Sequence, residues 1–354
     1  MKLRHLRLSG DPEARGRAHG EAFAAEIREY ADERVRLASN GSWAGRPATR
    51  ADILGLADAM IPAHRAYAPD LCAEMEALAA GAGISPAEAL ICGGFTDFVD
   101  AVRAMGSARI EDNCTAALVP DGRAGGAGFL AQTWDMHASA TPHVVLLDLQ
   151  PDHGLAARIF STVGCLAQIG MNAAGIAIGI NNLTAAAGQI GVTWPFVVRK
   201  ALAQTDLEAA LRCVLEADVA GGHNYLLLDA HGNGYDVEAM PAHKATTKLG
   251  DSPLLHTNHP IDPRAAALEA KRPADLVTSS HRRLALGEEL LSSRAIDLDT
   301  LIAFTREPDW ICRRSEPPHH METSGAVILR PRTRELWAVW GLPSENEYER
   351  YVVG

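Results

Sequence analysis

Little in this sequence suits it to bind nucleic acid, metal or phosphate. Its 33 lysines and arginines are outnumbered by 44 aspartates and glutamates, for a formal net charge of −11. A chain of that sign is not drawn to nucleic acid or to an anionic membrane surface. Six cysteines, Cys72, Cys92, Cys114, Cys165, Cys213 and Cys312, are scattered without a C-x-x-C pair. That spacing speaks against a zinc site or a disulfide framework and makes reduced intracellular thiols the expectation. There is no phosphate loop and no dinucleotide fingerprint. The best candidate for a membrane span, Cys165 to Ile180, is broken by Gly and Asn and is shorter than the roughly 20 residues a membrane helix needs. The opening, Met1 to Arg7, lacks the apolar stretch of a secretion signal. The expected protein is cytoplasmic, works without metal or cofactor, and takes a small molecule as partner, not nucleic acid or a membrane. A homo-oligomer is left open.

What the chain has is 354 residues, 47% hydrophobic and 22% charged, the balance of a globular protein with one large core or two modest ones. Helical signals fill the first third. Asp11 and Pro12 suit an N-cap and first turn, and the pattern runs through Ala18, Phe23 and Ile27 to Tyr30. Further helices are predicted over 50–67, over 69–82 with Leu71, Met75 and Leu78 on one face, and from the capping box of Ser85 and Glu88 to about Met105. Strand patterns follow at 115–119, 128–134, 144–149 and 158–162, with a turn signal at Asp121-Gly122. A hairpin is predicted from 166–171 to 175–180. Helices return at 194–204 and, capped by Thr205, at 206–216. Strands are expected at 225–228, 234–238 and 254–257, helices at 274–291 and 298–306, and a closing hairpin from 326–329 to 336–339. Hairpins interleaved with helix pairs predict a layered α+β body, two sheets sandwiched by helices.

The change from helix to strand falls at Cys114, in Asp112-Asn113-Cys114-Thr115-Ala116. It is the one thiol that opens a strand from a polar loop. A free cysteine, with a pKa of roughly 8.5, needs a base or a field to become thiolate at neutral pH. A cysteine so placed can attack the carbonyl before it, cut the chain and become a new N-terminus. The freed α-amine, with a pKa of roughly 7.7–8.0, can then act as base for the thiol. Asp135 ends the second strand of the hairpin that Cys114 opens, where its carboxylate can orient that amine. Asn181 and Asn258 each end a strand-like run, and an amide there can donate to a developing oxyanion, worth about 2.7–4 kcal/mol per donor. Each residue type also has a plainer use. A strand cysteine is ordinarily packing, and Asp or Asn at strand ends makes turns. His256 and His259 frame Asn258 without a carboxylate or cysteine at ligand spacing, so no metal site is expected. Two other readings stay open: a thiol hydrolase that uses Cys114 in an intact chain with a histidine as base, and a catalytically silent protein that binds a ligand.

The ordered motifs Asn113-Cys114-Thr115, Gln132-Thr133-Trp134-Asp135, Gly170-Met171-Asn172-Ala173-Ala174-Gly175, Ile180-Asn181 and His256-Thr257-Asn258-His259 carry a resemblance. Preceded by Gly16-Arg17-Ala18-His19-Gly20, they resemble the acyl-coenzyme A:6-aminopenicillanic acid acyltransferase family of N-terminal-nucleophile hydrolases. The resemblance implies a four-layer αββα sandwich, made as an inactive precursor that cuts itself before the cysteine. Here the cut would fall between Asn113 and Cys114, leaving an α chain of residues 1–113 and a catalytic β chain of residues 114–354 in one structural domain. It further implies Cys114 as nucleophile of self-cleavage and turnover, Asp135 as the group orienting its amine, Asn258 as main oxyanion donor and Asn181 as its helper. The enzyme would be an amidohydrolase or acyltransferase acting on an amide or thioester. Trp134, His256, His259 and Ser324 are the expected substrate-binding residues. The family has Gly where this chain has Asn113, and an Arg that assists maturation where this chain has Ser324; Arg313 is a candidate substitute, with an exposed ion pair as the expected use of it.

Overall fold

The computed structural model describes residues 2–40, 47–103, 114–317 and 320–354. A strand, β1 (Arg4–Gly10), leads into α1 (Pro12–Ala22), whose cap Asp11 accepts from the Ala14 N–H. The helix expected to reach Tyr30 is interrupted at Phe23, where φ is −129°, and resumes as α2 (Ala24–Ser39). Then come α3 (Arg50–Tyr67), α4 (Pro69–Ala82), α5 (Pro86–Gly93) and α6 (Phe95–Arg103). Ser85 and Glu88 form the predicted capping box of α5. The two glycines of the early motif have a packing reason. A β-carbon on Gly16 would lie 2.0 Å from the Glu74 carbonyl oxygen, and one on Gly20 2.2 Å from that of Leu78. They let the backbones of α1 and α4 touch, with Glu74 gripping Arg15 in the seam.

The remaining chain supplies β2 (Thr115–Val119), β3 (Phe129–His137), β4 (Val144–Pro151), β5 (Ala157–Thr162), β6 (Ile169–Asn172), β7 (Ala177–Asn182), α7 (Trp194–Ala201) and α8 (Leu207–Glu216). It continues as β8 (His223–Leu228), β9 (Gly234–Met240), β10 (His243–Lys248), β11 (Leu254–His256), α9 (Pro263–Ala266), α10 (Ala274–Leu290), α11 (Leu298–Thr305), β12 (Met321–Arg330), β13 (Glu335–Trp340) and β14 (Glu349–Val352). Asp206, not the expected Thr205, caps α8, accepting from the Ala209 N–H. The edge strands β10 and β14 escaped the sequence reading because neither carries a run of buried apolar residues.

The described strands form two sheets. Eight run in the order β1-β4-β5-β6-β7-β8-β9-β10, and six in the order β11-β2-β3-β12-β13-β14. Among these strand pairs, only β1–β4 is parallel. The sheets face each other across β2, β3, β7 and β8, while α8 lies on β8 and β9, α10 on β11, and α11 on β3 and β12. The molecule is an α+β protein with an αββα layering. Strand alternation splits its core accordingly. Ala116, Leu118, Leu130 and Trp134 belong to the core that includes the eight-stranded sheet. Ala117, Val119, Phe129 and Ala131 pack with Leu301 and Phe304 of α11. Among the described residues no single helix is long and apolar enough to cross a membrane.

Candidate active site

Cys114 stands one residue ahead of β2. Thr115 pairs with Thr133 in the antiparallel ladder, so the next position sets Cys114 against Trp134 and its amino side beside Asp135. The thiol is buried in the core between the sheets, its Sγ 3.8 Å from the main-chain carbonyl oxygen of Asp135. Thr115, Thr133 and Asp135 share the opposite face, toward the layer of α10 and α11, and the Thr115 N–H donates to Thr133 Oγ1 at 3.3 Å. The expected hairpin does bring Asp135 back to Cys114, but the atom that meets the thiol is its backbone oxygen.

The Asp135 carboxyl is fully buried. The Thr133 and Thr323 hydroxyls lie near enough to favour its charged form, yet neither carboxylate oxygen makes a hydrogen bond of ordinary geometry among the described residues. Burial pushes its pKa up to about 7, against the opposing pull of the Arg283 and Arg313 charges. A buried carboxyl so poorly supplied with donors is costly.

Arg283, from α10, is the residue that the sequence reading missed. It is wholly buried, and burial lowers its pKa to about 10 while Asp135 supports its charge. Nη1 donates to the Cys114 carbonyl oxygen and, at 2.9 Å, to Thr115 Oγ1; Nη2 donates to Asn258 Oδ1 at 2.9 Å. A signal for it existed. The buried positions of α10 are Leu276, Ser279, Ser280, Arg283 and Gly287, a helical stripe that is mostly polar where a structural helix would be apolar. Arg313 points its Nη1 at Ser279 Oγ, 3.4 Å away, and its charge also favours the ionised form of Asp135.

Asn258 follows β11. Its backbone N–H donates to Ser280 Oγ at 2.9 Å and its Nδ2 to the Asn182 carbonyl oxygen at 3.1 Å. The loop that carries it is pinned by Glu238, which accepts from the N–H groups of Ile261 and Asp262 and pairs with His256 Nε2 at 2.8 Å. Burial opposes charge on His256, but Asp236 and Glu238 overcome that and raise its pKa. With Nδ1 also on the Thr257 carbonyl oxygen, both ring nitrogens of His256 are in use. His259 sits on Ser280 Oγ and against His281; burial and the neighbouring His281 lower its pKa to about 3. Asn181, on β7, donates to Asn224 Oδ1 at 3.0 Å, and Asn224 in turn donates to Asp236. Cys114, Asp135, Asn258 and Arg283 thus form one group, while Asn181 belongs to a neighbouring polar chain on β7–β9.

Gln132 explains part of a motif that had no assigned role. Its side chain crosses between the sheets, accepting from the Ile180 N–H at 2.9 Å and donating to the Ile180 carbonyl oxygen. This fixes the β7 segment that carries Asn181 to the strand that carries Asp135. Gly179 makes room, since a β-carbon there would lie 2.5 Å from Gln132 Oε1. Trp134 is buried edge-on to Phe160. Ser324 is the bulged residue between Thr323 and Gly325, and its hydroxyl meets Thr141 Oγ1 at 2.9 Å. Asn113, with the bond to Cys114, lies outside the described residues. No group of three His, Cys, Asp or Glu side chains among the described residues is placed to hold a metal.

The sequence model of a family described as acyl-coenzyme A:6-aminopenicillanic acid acyl-transferase matches residues 122–345. That is 224 of the 354 residues; the span contains Asp135, Asn181, Asn258 and Arg283 and begins after Cys114. No curated protein matches the sequence. Among solved structures, the N-acylethanolamine-hydrolyzing acid amidase ortholog of Caenorhabditis elegans aligns with TM-score 0.46 and 10% identity, over 62% of this chain and 93% of its own. A mutant conjugated bile acid hydrolase of Clostridium perfringens gives 0.46 and 12%, over 68% and 97%. Penicillin V acylase of Agrobacterium tumefaciens gives 0.38 and 11%, over 64% and 82%.

Proposed function

The chain belongs to the acyl-coenzyme A:6-aminopenicillanic acid acyl-transferase family, an enzyme family of amide and acyl-transfer chemistry, and on that premise we propose that it is a self-processing cysteine amidohydrolase or acyltransferase with Cys114 as nucleophile. The observation that carries this reading is the Asp135 carboxyl, fully buried beside the amino side of Cys114 with only the nearby Thr133 and Thr323 hydroxyls to favour its charge and no hydrogen bond of ordinary geometry. Cutting the bond before Cys114 would create an α-amino group there, with N–H bonds to donate to Asp135 and a lone pair for the thiol proton. The histidine alternative is less well served, because both nitrogens of His256 are committed.

In self-cleavage, Sγ attacks the Asn113 carbonyl carbon and the acyl group moves from nitrogen to sulfur. Water then hydrolyses the thioester, leaving a carboxylate on Asn113 and a free thiol and amine on Cys114. In turnover, the α-amine takes the thiol proton, the thiolate attacks the substrate carbonyl, and the same amine returns the proton to the departing nitrogen. Asn258 Nδ2 spends one N–H on Asn182 and has a second for the oxyanion. Asn181, steadied by Asn224, is the helper. Water or an amine finally takes the acyl group from sulfur. The α chain would stay docked through α6, which is buried along its length. There, Asp97 pairs with His223 and accepts from the Trp194 N–H, and Asp100 accepts from the Ala185 and Gly222 N–H groups.

The test is intact mass of the protein after exposure to an activated acyl ester, followed by peptide mapping. One acyl group on the peptide that begins at Cys114, absent from Cys114→Ala, is the expected result. Acylation elsewhere, or turnover that survives Cys114→Ala, overturns the reading.

A further inference from the structure

One guanidinium joins the three oxygen atoms around which the proposed chemistry turns. Arg283 Nη1 holds the Cys114 carbonyl oxygen and Thr115 Oγ1, and Nη2 holds Asn258 Oδ1. Its Nε is aimed at Ser279 Oγ, 3.4 Å away. The side chain is fully buried, and a buried cation is retained at a cost unless its partners use it.

The contact with Asn258 has a directional consequence. A carboxamide can face its neighbours either way round, and the two ends of this one are chosen by chemistry. Arginine only donates, so the oxygen must face Arg283; the Asn182 carbonyl only accepts, so the nitrogen must face Asn182. With Arg283 absent, the oxygen end has no donor, and the single bond from Nδ2 to the Asn182 carbonyl is left to hold the amide against turning its oxygen to where an oxyanion needs an N–H. The same guanidinium grips the carbonyl of the nucleophile itself, so nucleophile and donor are set relative to one another by a single rigid group.

Resting on Cys114 as the nucleophile, we propose that Arg283 is a positioning residue for the reactions at Cys114, locking the Asn258 amide with its NH2 toward the developing oxyanion. It acts through Asn258, not on the substrate. It acts from α10, a helix that carries none of the ordered motifs.

The experiment compares wild type, Arg283→Gln, Arg283→Lys, Asn258→Ala and the Arg283→Gln/Asn258→Ala double variant. Folding is checked by thermal melting, and acylation of Cys114 by p-nitrophenyl butyrate is timed, with kcat and KM resolved. Loss of an oxyanion donor costs about 10²–10³-fold in kcat, so Arg283→Gln is expected to fall about 10²-fold with KM little changed. Arg283→Lys keeps the charge but not the two-pronged fork, and should lie between. The double variant should be no slower than Asn258→Ala, because the lost function is the same one. Losses that multiply in the double variant, or wild-type acylation rates in Arg283→Lys and Arg283→Gln, overturn the proposal. If Arg283→Gln does not fold, Arg283→Lys alone decides, and undiminished acylation counts against it. Failure of wild type to acylate at Cys114 would instead sink the nucleophile reading on which this one stands.

Discussion

At its Cys114 end the β2–β3 ladder has one dry face and one charged face. On the dry side Ala116, Leu118, Leu130 and Trp134 pack toward the other sheet, with Cys114 among them. The one long polar side chain there, Gln132, is satisfied at both ends by Ile180. On the other side Thr115, Thr133 and Asp135 meet Arg283 and Thr323. Strand alternation therefore puts the thiol and the carboxyl on opposite sides of the sheet, where neither side chain reaches the other. Only the backbone at the start of β2 is common to both faces. An α-amine freed at that point would touch the carboxyl on one side and serve the thiol on the other, which a base carried on a side chain of either face would not do.

The comparison can be broken from either face. The larger effect should come from the dry one. Gln132→Leu strands the Ile180 N–H and carbonyl in the core, at about 1–3 kcal/mol for each group. In the Cys114→Ala chain it should lower the melting temperature by on the order of 5–10 °C; an unchanged Tm would remove the inter-sheet clamp from the account. The smaller effect belongs to the charged face and carries a pH signature. The folded chain holds the Asp135 pKa up to about 7, whereas an unfolded aspartate titrates near roughly 3.9. Between those values the folded state binds a proton that the unfolded state has lost, so this group makes stability fall as pH rises from about 4 to about 7. Asp135→Asn, always neutral, should raise the Tm of the Cys114→Ala chain at pH 8, and the gain should disappear near pH 4. A lower Tm at pH 8 would mean that Asp135 already has its partner in the uncut chain.

Much of this layout was legible in the sequence, and the exceptions share a cause. Capping boxes, apolar periodicity and turn residues are local signals, and they located α3, α4, α5 and the β2–β3 hairpin. Phe23 fits a helical pattern, and the break there was not signalled. The polar strand β10 lies at a sheet edge, where pairing is decided by a neighbour and not by its own residues. In the site, Cys114 and Asn258 stand beside strand ends and Asp135 two residues inside the end of β3, which runs on past the expected stop, and the fold gathers all three. Asn181 was read correctly as a strand end, but its amide is spoken for by Asn224, a partner from β8. Arg283 lies 169 residues from the carbonyl it holds and in no motif. Only the polar stripe of its helix hinted at it, and that stripe has meaning only once α10 is known to lie over β11.

The central claim is that Cys114 is released by its own attack. Purified wild type and Cys114→Ala should be compared on a denaturing gel and by intact mass. Apportioning 37.8 kDa by length, 113 and 241 of 354 residues, predicts wild-type pieces of about 12 and 26 kDa, the larger beginning at Cys114, and an uncut variant. An uncut wild type that nonetheless turns over an amide, or a variant that is cut like wild type, would contradict the account.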